Sequence, residues 1–280
     1  MGTELGRRGV PTPSPAWSAH ALIVAPETVA AIHREYAGAG ATVHTANTFR
    51  ARRRAVGERW EALARGAIRI ARRSVPPGQR IAGSIGPLED CYRPDLSPGE
   101  ASRREHAELA RVLADAGVDL LLCETFPHAG EAAVAVQESV RTGIETWVPL
   151  TAGPDAALMT PRAMGEAARR CMADGARVVL VNCTPARQTL AYVEAIATAG
   201  VAFGAYANAG SAEDGIGWQA LAREGTAEGA AAYAGLARSW LDAGATVIGG
   251  CCGTGPAHVE ALAVLSRLCR PPRGDRAPSS

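Results

Sequence analysis

The feature that most constrains this chain is a repeated unit: a short apolar run, a loop, an amphipathic stretch and a glycine that ends it. The amphipathic stretches close at Ala37-Gly38-Ala39-Gly40, Ala116-Gly117, Asp174-Gly175, Ala199-Gly200 and Ala243-Gly244, and an apolar run follows each at once. Glycine just past a helix supplies the left-handed residue that turns the chain back. Helix starts are marked too. Ser97-Pro98-Gly99-Glu100 reads as a capping box, while Thr160-Pro161 and Thr184-Pro185 each put a cap before a first-turn proline.

Seven apolar runs read as strands, over residues 42–45, 80–84, 118–123, 146–150, 178–181, 201–206 and 246–249. They are apolar throughout rather than alternating, as parallel strands covered on both faces are. Strict alternation of strand and helix without a linker predicts one α/β domain, a TIM-type (β/α)8 barrel over residues 1–269. A polar, Pro-rich tail over 270–280 is expected to be disordered. A doubly wound open sheet would call for a glycine-rich phosphate loop after an early strand, and the sequence has none. Seven strands are one short of a closed barrel, so the expected eighth precedes Met1.

Composition narrows the function. The 280 residues are 47% hydrophobic and 20% charged, ordinary for a barrel of this size. All 29 basic residues are arginine, but a net charge of +1 leaves no basic excess for nucleic acid. No apolar stretch reaches membrane-spanning length, and Met1-Gly2-Thr3-Glu4-Leu5 lacks a signal-peptide core, so a cytoplasmic location is expected. In a reducing compartment the seven cysteines favour metal or catalytic roles over disulfides. The Asn182-Cys183-Thr184 sequon then has no glycosylating enzyme to meet.

In α/β barrels the chemistry sits at the C-terminal ends of the strands. Cys251-Cys252 closes the last apolar run and Cys183 closes another, 68 residues earlier. Three soft thiolates suit one tetrahedral metal, with zinc favoured, and leave its fourth position open. Zinc bound by three thiolates is a poor Lewis acid for a carbonyl but holds an incoming thiol as thiolate. Alkylation of a thiol is therefore the expected chemistry, ahead of hydrolysis. Glu124 is the acid at a strand end on this rim, placed to receive a substrate ammonium group or to cap a helix. Thr48 and Asn47 are weaker candidates for substrate binding, since such residues commonly tie down loops. Cys91, Cys123, Cys171 and Cys269 read as structural, His44 as a satisfied core histidine, and Arg50 to Arg54 as a solvated helix face.

The strand-end segments also resemble one family. Met1-Gly2-Thr3-Glu4-Leu5, Asn47-Thr48-Phe49, Gly83-Ser84-Ile85-Gly86-Pro87, Cys123-Glu124-Thr125, Val181-Asn182-Cys183, Tyr206-Ala207-Asn208-Ala209-Gly210 and Gly249-Gly250-Cys251-Cys252-Gly253 are similar to the homocysteine S-methyltransferases. The resemblance implies a barrel whose Cys183, Cys251 and Cys252 bind Zn2+, with Glu124 on the homocysteine amino group and backbone contacts near Thr48. It further implies a strand ending in Asp-Gly-Gly or Asp-Gly-Ala before the Met-Gly-Thr segment, which is the strand the count lacks. A single-domain member of this length is most similar to those using S-methylmethionine or S-adenosylmethionine as donor and forming methionine. The alternatives are a non-catalytic zinc-binding barrel and a methyltransferase acting on another small thiol or selenol.

Overall fold

The computed structural model describes residues 1–217 and 226–269, and the expected tail over 270–280 lies outside them. The seven apolar runs form strands β1 (Val43–Thr45), β2 (Arg80–Ile85), β3 (Leu120–Cys123), β4 (Thr146–Leu150), β5 (Val178–Pro185), β6 (Ala202–Asn208) and β7 (Val247–Gly250). Each pairs in parallel with the next, in the order β1 to β7, with Ala82 opposite Leu120, Trp147 opposite Val178 and Ala205 opposite Ile248. A helix follows every strand, for example Arg103–Asp115 after β2 and Pro161–Ala173 after β4. The result is the α/β barrel type expected, curled but open.

Side chains alternate across each strand, and this alternation builds two cores. Leu121, Val148, Val179 and Val181 point outward and pack beneath the helices with Leu113, Met164, Ile196 and Trp240. Leu120, Leu122, Trp147 and Leu180 point inward and fill the barrel axis. Full burial of one such leucine stabilises the fold by about 1.5–3 kcal/mol. Both faces of the sheet are covered, which is why the strands read as continuous apolar runs.

The helix ends follow the sequence in part. Gly117 at φ +83° and Gly175 at φ +104° turn the chain into the next strand, a conformation other residues resist. Thr160 accepts from the backbone N–H of Ala163 and caps its helix. The other two expected caps do not form as read. Ser97 accepts from Gly99 N at 3.3 Å but makes no reciprocal box and donates to Glu131, and the hydroxyl of Thr184 accepts from the backbone N–H of Ala152, because β5 continues through Thr184-Pro185. In each case a buried partner outcompetes the local helix end.

Among the described residues, β1 and β7 are not hydrogen-bonded to each other. Residues of both, including Val43, Thr45, Val247 and Gly249, line one cavity of about 1250 Å3. Among the described residues the wall therefore runs as seven strands, and the cavity extends along the β1 and β7 edges from Thr42 and Thr246 to Cys251 and Cys252. No helix among the described residues is long and apolar enough to cross a membrane.

Candidate active site at the strand ends

Cys183 reaches the mouth of the barrel through an irregularity in β5. The pairing with β6 shifts register between Asn182 and Pro185, and Cys183 adopts φ +46°. A non-glycine residue in the left-handed region is strained, and such strain concentrates at functional positions. Asn208 donates to the Cys183 carbonyl at 3.0 Å and fixes this turn from the adjacent strand.

Cys251 and Cys252 lie just beyond β7, in a turn held from several sides. Cys251 N donates to Ala207 O, and Ala209 N donates to Cys252 O. Thr254 Oγ1 donates to Cys251 O at 2.7 Å, and Arg7 donates to Gly253 O at 3.0 Å. Gly253 stands at φ +80°, which lets the chain leave the turn without a Cβ in the way.

The sulfurs of Cys183, Cys251 and Cys252 all lie within 4.8 Å of one another. Three thiolates gathered this closely could, once reduced, hold one tetrahedral zinc through Zn–S bonds of about 2.3 Å. Burial pushes the Cys252 thiol above its ordinary pKa, so a thiolate there calls for a cation. Cys183 and Cys251, with Cα atoms 5.9 Å apart, stand paired as a disulfide, which departs from the expectation that all the cysteines are unpaired. Their strand ends flank β6 and bring the two thiols into contact. A disulfide and a metal site use the same sulfurs and exclude each other. Only the metal site gives the third sulfur, Cys252, a role.

Glu124 follows β3 directly and is buried against the same cavity. Tyr206 donates to its Oε2 at 2.7 Å, and Ser84 donates to Oε1. Burial raises the Glu124 pKa, and the two hydroxyls only partly offset this. A buried carboxylate fixed by neutral donors can accept a cationic group. Thr48 does not line the cavity. Its hydroxyl donates to Ser84 O at 2.9 Å and accepts from Ser84 N at 2.8 Å, so it acts on Glu124 through Ser84. Asn47 does line the cavity, while its amide donates to Ser18 O at 2.8 Å.

Three features differ from the sequence reading or escaped it. Tyr206 carries no functional signal of its own in the sequence, although its place on β6 between outward-facing Ala205 and Ala207 marks it as inward. Cys91, read as structural, is buried and lines the cavity. Arg52 is not part of a solvated face: it is only 4% exposed, beneath the loop that follows β2. No signal in a run of arginines distinguishes the one that turns inward. His44 bonds Gln79 at 2.7 Å, as expected of a satisfied histidine.

The model of the homocysteine S-methyltransferase family matches residues 1–265. This chain belongs to that family. It is a methyltransferase, and the family's reaction is methyl transfer to homocysteine. The chain is 29% identical to homocysteine S-methyltransferase 1 of Zea mays, over 95% of this chain and 92% of that one. It is 30% identical to selenocysteine methyltransferase of Astragalus bisulcatus, over 67% of each. The metallated form of the Escherichia coli homocysteine methyltransferase MmuM matches in fold with a TM-score of 0.77 at 24% identity, over 94% of this chain and 93% of that chain.

Proposed function

We propose that this family member transfers a methyl group from a sulfonium donor, S-methylmethionine or S-adenosylmethionine, to the thiol of homocysteine in a zinc-dependent reaction that gives methionine. The observation that carries the reading is that three cysteine sulfurs and a hydroxyl-held carboxylate face one cavity. Cys183, Cys251 and Cys252 would hold the zinc. When bound there, zinc supplies a position at which an incoming thiol is kept as the nucleophilic thiolate.

The remaining work falls to the chain's own side chains. Glu124 receives the substrate ammonium, with Tyr206 and Ser84 fixing its two oxygens. Thr48 sets the position of Ser84, and Asn47 shapes the cavity wall between β1 and Ser18. The homocysteine sulfur forms the new bond to the methyl carbon while the donor's C–S bond breaks, and that electron pair leaves with the donor as a neutral thioether. Such a displacement draws its rate from alignment, which the strand-end groups that face the cavity would provide. The thiols must be reduced to act, consistent with work in the cytoplasm.

A selenol acceptor is the second reading, favoured by the likeness to the Astragalus selenocysteine methyltransferase. The decisive assay incubates zinc-loaded protein with homocysteine or selenocysteine and each donor in turn, betaine included. Methionine formed from either sulfonium donor supports the proposal. No methylated product with any sulfonium donor overturns it.

A further inference from the structure

Arg52 is 4% exposed, yet no carboxylate of the described residues lies within ion-pairing distance of it. Its two terminal nitrogens reach only the carbonyls of Gly86 and Glu89, both at 3.4 Å, and its Nε is buried without a partner. Arg50 beside it makes one hydrogen bond, to the same Glu89 carbonyl at 3.4 Å, and lies over the Phe49 ring at 5.4 Å, again with no carboxylate among the described residues paired to it. The neighbouring arginines behave otherwise. Arg53 pairs with Glu58, and Arg54 pairs with Glu89 and Glu105. The nearby buried carboxylate of Glu131 is engaged elsewhere, by Leu88 N, Ser97 and His106.

A buried guanidinium without a counter-charge is expensive, and chains tolerate it where an anion completes the site. Arg50 and Arg52 line the same cavity as Cys183, Cys251, Cys252 and Glu124. The planar fork of arginine matches a carboxylate bidentately. We infer that Arg52, assisted by Arg50, forms a subsite for the carboxylate of an amino-acid substrate in this cavity.

This inference rests on the proposed function, because both the homocysteine acceptor and the sulfonium donors carry such a carboxylate. Two matched pairs separate the sources. Homocysteine is compared with 3-mercaptopropylamine, which keeps the thiol and ammonium but lacks the carboxylate. S-Methylmethionine is compared with (3-aminopropyl)dimethylsulfonium, which keeps the sulfonium and ammonium but lacks the carboxylate. Arg52→Gln and Arg50→Gln are assayed with the zinc-loaded wild type, with melting temperature and zinc content as checks on folding.

For the pair that uses the subsite, Arg52→Gln should raise KM for the carboxylate-bearing member about ten- to a hundredfold and leave its partner unchanged. Arg52→Lys should recover part of the loss, and Arg50→Gln should show a smaller effect of the same kind. Equal losses for both members of each pair would make Arg52 a loop brace and overturn the subsite. Unchanged KM values throughout would overturn it as well. If no methyl transfer is detected, calorimetric binding of homocysteine against 3-mercaptopropylamine still reads the acceptor arm, and S-methylmethionine against (3-aminopropyl)dimethylsulfonium the donor arm. Wild-type protein that prefers neither carboxylate-bearing ligand contradicts the subsite independently of the reaction.

Discussion

The hydroxyl of Tyr206 meets the carboxylate of Glu124 at 2.7 Å, across the barrel mouth and 82 residues apart in sequence. The contact ties the end of β3 to β6 and orients a carboxylate that burial would otherwise leave adrift. Tyr206→Phe removes the donor and keeps the ring. Homocysteine KM should rise about tenfold or more, matching the roughly 1.5–3 kcal/mol of a hydrogen bond to a charged group, with zinc content unchanged. Steady-state kinetics with metal analysis checks this.

Burial holds the Glu124 pKa above its ordinary value, and the sign of the consequence follows. Over the window from the unfolded value, about 4.3, up to the raised value, the folded chain holds a proton the unfolded chain releases. Glu124 therefore favours folding most at low pH, and that contribution is lost as pH rises through the window. Ammonium binding requires the ionised carboxylate and strengthens over the same interval. Homocysteine affinity should increase with pH across the window in wild type. In Glu124→Gln the part of that dependence carried by the carboxylate should be lost, leaving only the proton released by the thiol, with binding weaker by roughly 1.5–3 kcal/mol at neutral pH. Calorimetric titration of both proteins across pH measures it.

Glu131 anchors the loop that carries Cys91 and Arg52's carbonyl partners. Its burial pushes its pKa up, but the bonds from His106, Ser97 and Leu88 N outweigh that and hold it low. Glu131→Ala leaves these groups unpaired and should cost about 3–5 kcal/mol. Chemical denaturation checks the loss. The stability that Glu131 provides is present above the ordinary glutamate pKa and should fade in wild type as pH falls through its lowered value.

Cys171 is fully buried beneath the sheet and Cys269 is exposed at the end of the last helix. Neither lies with the sulfur cluster. Cys171→Ala should lower stability by about 1 kcal/mol, typical of a small core truncation, and Cys269→Ala by less. Metal content should match wild type in both, as elemental analysis would read.

Much of this arrangement was legible in the sequence. Leu120 to Cys123 and Val178 to Val181 read as buried parallel strands because both of their faces are covered. Strand-end position alone then brought Cys183, Cys251 and Glu124 to one rim. What escaped depended on tertiary partners. Ser97 and Thr184 carry cap-like signals, yet Glu131 and the Ala152 amide claim their hydroxyls. Arg52 is chemically identical to Arg53 and Arg54 beside it, and only the β2 loop above it decides which one is buried.

The central claim is that three cysteines form one thiol-accepting metal centre. X-ray absorption at the zinc edge of the reduced, zinc-loaded protein, with and without homocysteine, tests it most directly. One zinc per chain with three sulfur neighbours, rising to four when homocysteine is added, is the predicted result, and Cys251→Ala should not retain it. A sulfur count that stays unchanged on adding homocysteine, or full zinc occupancy in Cys251→Ala, would contradict the account.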